Sequence, residues 1–236
     1  MQHRSRKRFY KNVTTRAVDG GWLVLLDDKP IKTPARADLK LPTQALAMSI
    51  AEEWRGQGET LSLLSMQHTQ LANTAIDRVP KLRANVVDEA IKYADTDLVC
   101  YRADGPPNLV ERQHAHWQPV IEWLAERYGV RLVTTHSITP ISQARRTIVV
   151  LRSAIDRYDD FALAGLSASV AAAGSLAIGL ALAEGVLDGA AAFAAAQVDE
   201  LFQIEKWGAD AEAGARLERV RAELAALAKY HAFLRG

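Results

Sequence analysis

His114 and His116 stand two residues apart, and a shared metal ion is the chemistry such a pair would do. Their surroundings read as helix, where an i, i+2 pair points to nearly opposite faces, so two surface or partly packed rings are the better reading. Ser167 and Ser175 lie in Ala-Gly-Leu-Ser and Ala-Gly-Ser-Leu contexts, short of the G-x-S-x-G elbow that exposes a hydrolase nucleophile. Cys100 precedes Tyr101 and Arg102, and an arginine can activate a thiol, yet a lone cysteine in an apolar run is ordinarily a small core residue. Neither a G-x-x-x-x-G-K-S/T loop nor a G-x-G-x-x-G turn after a strand occurs, so no motif is present to cradle a nucleotide's phosphates. These patterns yield no catalytic residue, no cofactor site and no metal site.

Carboxylates give a better lead. On a helical wheel from Phe193 to Gly208, Phe193, Val198, Leu201, Phe202 and Ile204 span one half, and Asp199, Glu200, Gln203 and Lys206 the other. Glu205 falls in the apolar half. A carboxylate buried there must pair with a base, shift its pKa or face a groove that another molecule fills. A structural ion pair with an arginine of a neighbouring helix and a role toward a partner or substrate both satisfy that condition, and periodicity does not choose between them.

The elements around these residues follow from pattern and turn chemistry. Val13 to Val18 and Trp22 to Leu26 are β-type runs joined at Asp19-Gly20-Gly21, with Asp27-Asp28 and Pro30 behind, which predicts hairpins in a small antiparallel sheet over the first ~40 residues. Asp-Gly is expected to supply the positive φ values of the first turn. Thr43 caps a predicted helix carrying Leu46, Ile50 and Trp54 on one face, stopped by Gly56 and Gly58. Trp54 is assigned to core packing. Further helices are predicted from Gln67 to Arg78, ended by Pro80, and from Lys81 to Ala94 with Leu82, Val86, Ala90 and Tyr93 inward. Leu98 to Tyr101 and Val130 to Thr134 read as short strands. Gly105-Pro106-Pro107 is a loop, followed by helices from Asn108 to Tyr128, kinked or split at Pro119, and from Ser142 to Tyr158.

Phe161 to Ala183 carries no charge, long enough to raise a membrane span. Nine of its 23 residues are Ala, three Gly and three Ser, and no Trp or Tyr anchors its ends. Two packed core helices broken near Gly174-Ser175 are therefore expected, without stable membrane insertion. A helix through Trp207 and a last one from Asp210 to Leu234 complete the chain. The fold class is α+β: a β-rich domain over 1–80 with one or two helices, then a larger helical domain over 81–236.

Composition narrows the function classes. The 236 residues are 49% hydrophobic and 24% charged, as in ordinary globular proteins. With 29 basic against 28 acidic residues, no whole-chain field favours nucleic acid. One cysteine excludes an internal disulfide and suits a reducing compartment. Met1 to Tyr10 carries His3, Arg4, Arg6, Lys7 and Arg8 without an apolar run, so it reads as a solvated tail and not a secretory signal.

Six strings are more specific: Arg8-Phe9-Tyr10-Lys11; Lys32-Thr33-Pro34-Ala35; Ala51-Glu52-Glu53-Trp54 with Gln57; Tyr93-Ala94-Asp95-Thr96-Asp97-Leu98; Gly174-Ser175-Leu176; and Asp199-Glu200 leading to Gln203-Ile204-Glu205-Lys206-Trp207-Gly208. Along nearly its whole length the chain resembles the assembly chaperone of the F-type ATP synthase that binds the unassembled α subunit of the catalytic head. The resemblance implies a monomeric, ATP-independent holdase that is not an enzyme, has no cofactor, and keeps the α subunit from aggregating until the β subunit replaces it. It also implies a two-domain α+β protein, and it carries the family's acidic functional position onto Glu205, with Asp199, Glu200, Gln203 and Trp207 as further partner-binding residues. Met66-Gln67-His68 departs from the family pattern, where a proline would follow the methionine. An organelle-targeting presequence is not apparent before Arg8, so a bacterial cytoplasmic protein is expected, with relatives in the mitochondrial matrix. The alternative is a small-molecule enzyme using Glu205 as general base; a structural membrane component built on Phe161 to Ala183 is a third reading.

Overall fold

The computed structural model describes residues 6–208 and 210–236, so His3 and Arg4 of the basic run lie outside the described residues. The chain divides into two compact units, one of residues 1–83 with 232–236 and one of residues 84–231. The fold is α+β, with the strands in the first unit.

That unit contains β1 (Arg6–Lys7), β2 (Val13–Val18), β3 (Gly21–Leu26), β4 (Lys29–Pro30), β5 (Lys40–Leu41), α1 (Gln44–Arg55), β6 (Thr60–Leu61) and α2 (Gln67–Asp77). β1 pairs antiparallel with β6, while β3 pairs with β2, β4 and β5. The basic run is thus no solvated tail from Arg6 onward: Arg8 donates to the Gln57 carbonyl at 2.6 Å and stacks on Tyr10, which is buried. The predicted hairpin forms, with Gly21 in the strand and facing Val18, and its turn takes positive φ at Gly20 and not at Asp19. Positive φ at both turn positions belongs instead to Asp27 and Asp28, between β3 and β4, the signature of a type I′ turn. The Asp27 carboxylate accepts from the backbone of Lys11 and Asn12, which holds its pKa below the ordinary value and anchors the turn.

Thr43 caps α1 through Leu46 N, and Leu46, Ala47, Ile50 and Ala51 are buried. Trp54, in the last turn of α1, is only half-buried, against Tyr10 at 5.6 Å between ring centres. The specific strings of this unit do structural work. Asp77 at the end of α2 accepts from Thr33 Oγ1 and Ala35 N, and Glu53 caps the start of α2 by accepting from His68 N, Thr69 N and Thr69 Oγ1. Gln67 occupies the first position of α2, where a backbone N–H has no intrahelical partner, so a residue other than proline fits there.

α3 (Val79–Lys92) follows, with Pro80 in its first turn instead of ending α2 at a distance. Leu82 interrupts the helix at φ −126° and lies exposed, and the buried row is Val87, Ala90, Ile91 and Ala94, so of the expected row Leu82, Val86, Ala90 and Tyr93 only Ala90 is fully buried. The kink resets the phase on which that expectation rested.

The second unit holds α4 (Pro107–Tyr128), α5 (Arg145–Ile155), α6 (Asp160–Ala173), α7 (Leu176–Ala183), α8 (Gly189–Ala196), α9 (Val198–Trp207) and α10 (Ala211–Arg235), whose last residues group with the first unit. α4 runs through Pro119 as one helix. Pro119 and Ala115, whose carbonyl loses its partner there, both face solvent, so water satisfies the freed group. Neither short strand predicted in this region forms: Leu98–Cys100 is a 3-10 turn, and 130–134 makes no ladder, with the parallel bridge Tyr101 to Thr135 just beyond. The uncharged stretch folds as two helices, α6 ending at Gly174 in the left-handed region and α7 starting at its cap Ser175. A Cβ on Gly179 would stand 2.6 Å from Val170 Cγ2 and 3.0 Å from Val170 N, so the small residues exist to let these backbones approach. Among the described residues no helix is long and apolar enough to cross a membrane. Beyond Asp188 the predicted single helix is two, because Gln197 leaves helical geometry between α8 and α9.

Candidate functional site

The candidate residues Asp199, Glu200, Gln203, Glu205 and Trp207 all lie on α9, which packs on α4 through buried Val198 and Phe202. α4 buries a row at helical spacing, Gln113, Trp117, Val120, Ile121 and Leu124. Trp117 Nε1 donates at 2.7 Å to the Ala195 carbonyl, one of the last in α8, fixing the end from which α9 departs. Gln113 is buried and uses both ends of its amide: Oε1 accepts from Ala103 N at 2.8 Å, and Nε2 donates to Asp199 Oδ1 at 2.7 Å. One residue earlier, Arg112 Nη2 donates to Glu205 Oε2 at 2.6 Å, and its guanidinium lies 5.5 Å from the Phe202 ring centre. Two carboxylates flanking Phe202 are therefore gripped by adjacent residues of α4.

Glu205 does sit on the side of α9 that faces α4, as the wheel requires, but it is not buried: its side chain is 58% exposed. Periodicity sets the direction a side chain takes and not how far the neighbouring helix extends opposite it. In the last turn of α9 the opposing residue is the half-exposed stem of Arg112, so the expected buried acid is a rim acid. The hydrogen bond from Arg112 holds its carboxyl below the ordinary value, the opposite of what burial alone would do.

The outward side of α9 faces a groove of about 500 Å³ lined by Asp199, Glu200, Gln203, Ile204, Trp207 and Asp210 among others. Glu200 pairs with Arg216 of α10. Trp207 is 70% exposed, with Lys206 Nζ 5.0 Å from its ring centre. The groove thus brings Asp199, Glu200, Gln203 and Trp207 together, while Glu205 stands on the α4 side of the same helix.

Arg112, Gln113 and Arg216 escaped sequence reasoning because their partners are distant in the chain. Gln113 alone left a trace, a polar residue in register with Trp117, Val120 and Leu124. The remaining nucleophile and metal-ligand types are placed otherwise. Cys100 is buried, and burial pushes its thiol up to about 12. Ser175 is a helix cap whose hydroxyl donates to Asp97. His114 is exposed and His116 half-buried on α4, and among the described residues no group of His, Cys, Asp and Glu is arranged to hold a metal ion.

Comparison with known proteins agrees with this architecture. The family model described as ATP12 chaperone protein matches residues 7–125. The crystal structure of Atp12 from Paracoccus denitrificans superposes with a TM-score of 0.90 at 38% identity, covering 97% of this chain and 98% of that one. An aspartate-to-lysine mutant of the P. denitrificans protein gives 0.88 at 37% identity over 97% of each chain. The mitochondrial protein atp12 of Schizosaccharomyces pombe is 26% identical over 214 residues, 86% of this chain and 74% of its own length. The chain belongs to the ATP12 chaperone family.

Proposed function

We propose that this chaperone serves assembly of the F-type ATP synthase by holding the free α subunit of the catalytic head, without ATP, until the β subunit replaces it. The observation that carries the reading is the outward face of α9, where a tryptophan 70% exposed stands beside a groove lined by acids. Tryptophan is enriched among the residues that carry binding energy at protein interfaces, and an exposed one beside a charged groove is available as such an anchor. Asp199, Glu200, Gln203, Glu205 and Trp207 are the partner-binding residues of this proposal. The protein acts as a monomer in the bacterial cytoplasm. The general-base alternative is disfavoured, since a carboxylate paired with arginine and held below its ordinary pKa is a weak proton acceptor.

Light scattering during dilution of isolated α subunit tests the proposal. Equimolar chaperone should suppress scattering without nucleotide, and size-exclusion chromatography should show the complex dissolving when β subunit is added. Unchanged scattering, or an absolute need for ATP, removes the proposal.

A further inference from the structure

We propose that the α9 face docks an arginine-bearing segment of its client, and that the chain's own cations occupy those places in the free protein. The inference rests on the α9 face being the client site. Three groups of α9, Glu205 on its α4 side and Glu200 and Trp207 on its groove side, already meet a cation from within the chain. Glu205 is held by Arg112 at 2.6 Å, Glu200 by Arg216, and the Trp207 ring by Lys206 at 5.0 Å. The Arg112–Glu205 pair is exposed, with 40% of the Arg112 side chain and 58% of that of Glu205 open to water, so it is weak and exchangeable, while Glu200 is half-buried beneath Arg216. The groove itself is lined by Asp199, Glu200 and Asp210 with no basic residue among its lining, so its charge is complementary to a cationic segment.

Arginine fits better than lysine for two reasons. Its planar guanidinium meets a carboxylate with two parallel hydrogen bonds, and it stacks on an indole face. One client arginine can therefore replace Arg112 or Arg216 on its acid while another lies on Trp207 in place of Lys206. Docking is then an exchange of ion pairs: no carboxylate is stripped of its cation, and the gain comes from shutting water out of the new pairs. Arg112 and Arg216 thereby tune affinity downward, competing with the client for the acids.

The test measures the dissociation constant of isolated α subunit by biolayer interferometry on the immobilised full chain, for the parent, Glu205→Gln, Arg112→Gln and the double variant, with melting temperatures checked in parallel. Arg112→Gln should bind about fivefold tighter, in keeping with the small contribution of an exposed ion pair. The gain should shrink in ~1 M salt, where the Debye length is about 3 Å, and vanish in the Glu205→Gln background. Arg216→Gln makes the same test at Glu200 if the first variant folds poorly. Should Glu205→Gln weaken capture while neither arginine variant tightens it, the exchange is wrong and the α9 site stands. Should Glu205→Gln bind like the parent, the α9 site falls and the exchange falls with it.

Discussion

Glu205 shows how far one residue's surroundings decide its role. A carboxylate on the packing side of a helix is expected to be costly, yet here it lies at the rim, satisfied by Arg112 and solvated. Glu205→Gln and Glu205→Lys should therefore leave the melting temperature nearly unchanged while weakening α-subunit capture, with the lysine variant the more severe because it faces Arg112. A thermal melt beside a pull-down checks both; a collapse of the fold with no separate binding defect would make Glu205 a structural residue. Trp54 shifts the other way. Its indole is half-buried against Tyr10, so Trp54→Ala should cost about 2 kcal/mol, below the ~3–5 kcal/mol of a fully buried aromatic truncation. Urea unfolding measures that cost, and a loss of 4 kcal/mol or more, on the order of full burial, would place Trp54 deep in the core.

Among the elements, the junction of α6 and α7 depends on Asp97, which is fully buried. Its Oδ1 accepts from Ser175 Oγ at 2.6 Å and Val99 N at 3.2 Å, and Oδ2 accepts from Ala177 N at 3.0 Å, so one side chain ties the 3-10 turn Leu98–Cys100 to the start of α7. Burial pushes its carboxyl up to about 6 from an ordinary 3.8, against the pull of those hydrogen bonds. A folded-state pKa above the unfolded one means that the native protein holds this proton more tightly. The stability it contributes is complete below about pH 4 and is lost as pH rises through about 6. The swing is a few kcal/mol, because each tenfold gain in proton affinity is worth roughly 1.4 kcal/mol. Urea unfolding of the parent and Asp97→Asn from pH 4 to 7 checks this: the parent's advantage over the variant should decline through that window. A difference flat with pH would mean that Asp97 titrates at its ordinary value.

At the scale of the molecule, Cys100 reports on the whole second unit. Its thiol is buried and raised to about 12, so alkylation in native buffer should be negligible and should proceed at the rate of unfolding in denaturant. Rapid labelling of the folded protein would reveal a local opening around the Tyr101 to Thr135 bridge. The division of labour between sequence and structure is equally plain here. Local chemistry is short-ranged, so the hairpin at Asp19-Gly20, the Thr43 cap, the Gly174-Ser175 break and the small-residue helices α6 and α7 could be read from neighbours in the chain. The six specific strings also carried the family. Tertiary structure decided what depends on distant partners: the bridge where two strands were expected, the phase of α3 beyond Leu82, and the break at Gln197. It also decided the exposure of Glu205, for a helical period tells which way a side chain points but not where the facing helix ends. Arg112 and Gln113 meet α9 across 93 and 86 residues of chain, and no spacing rule spans such a separation.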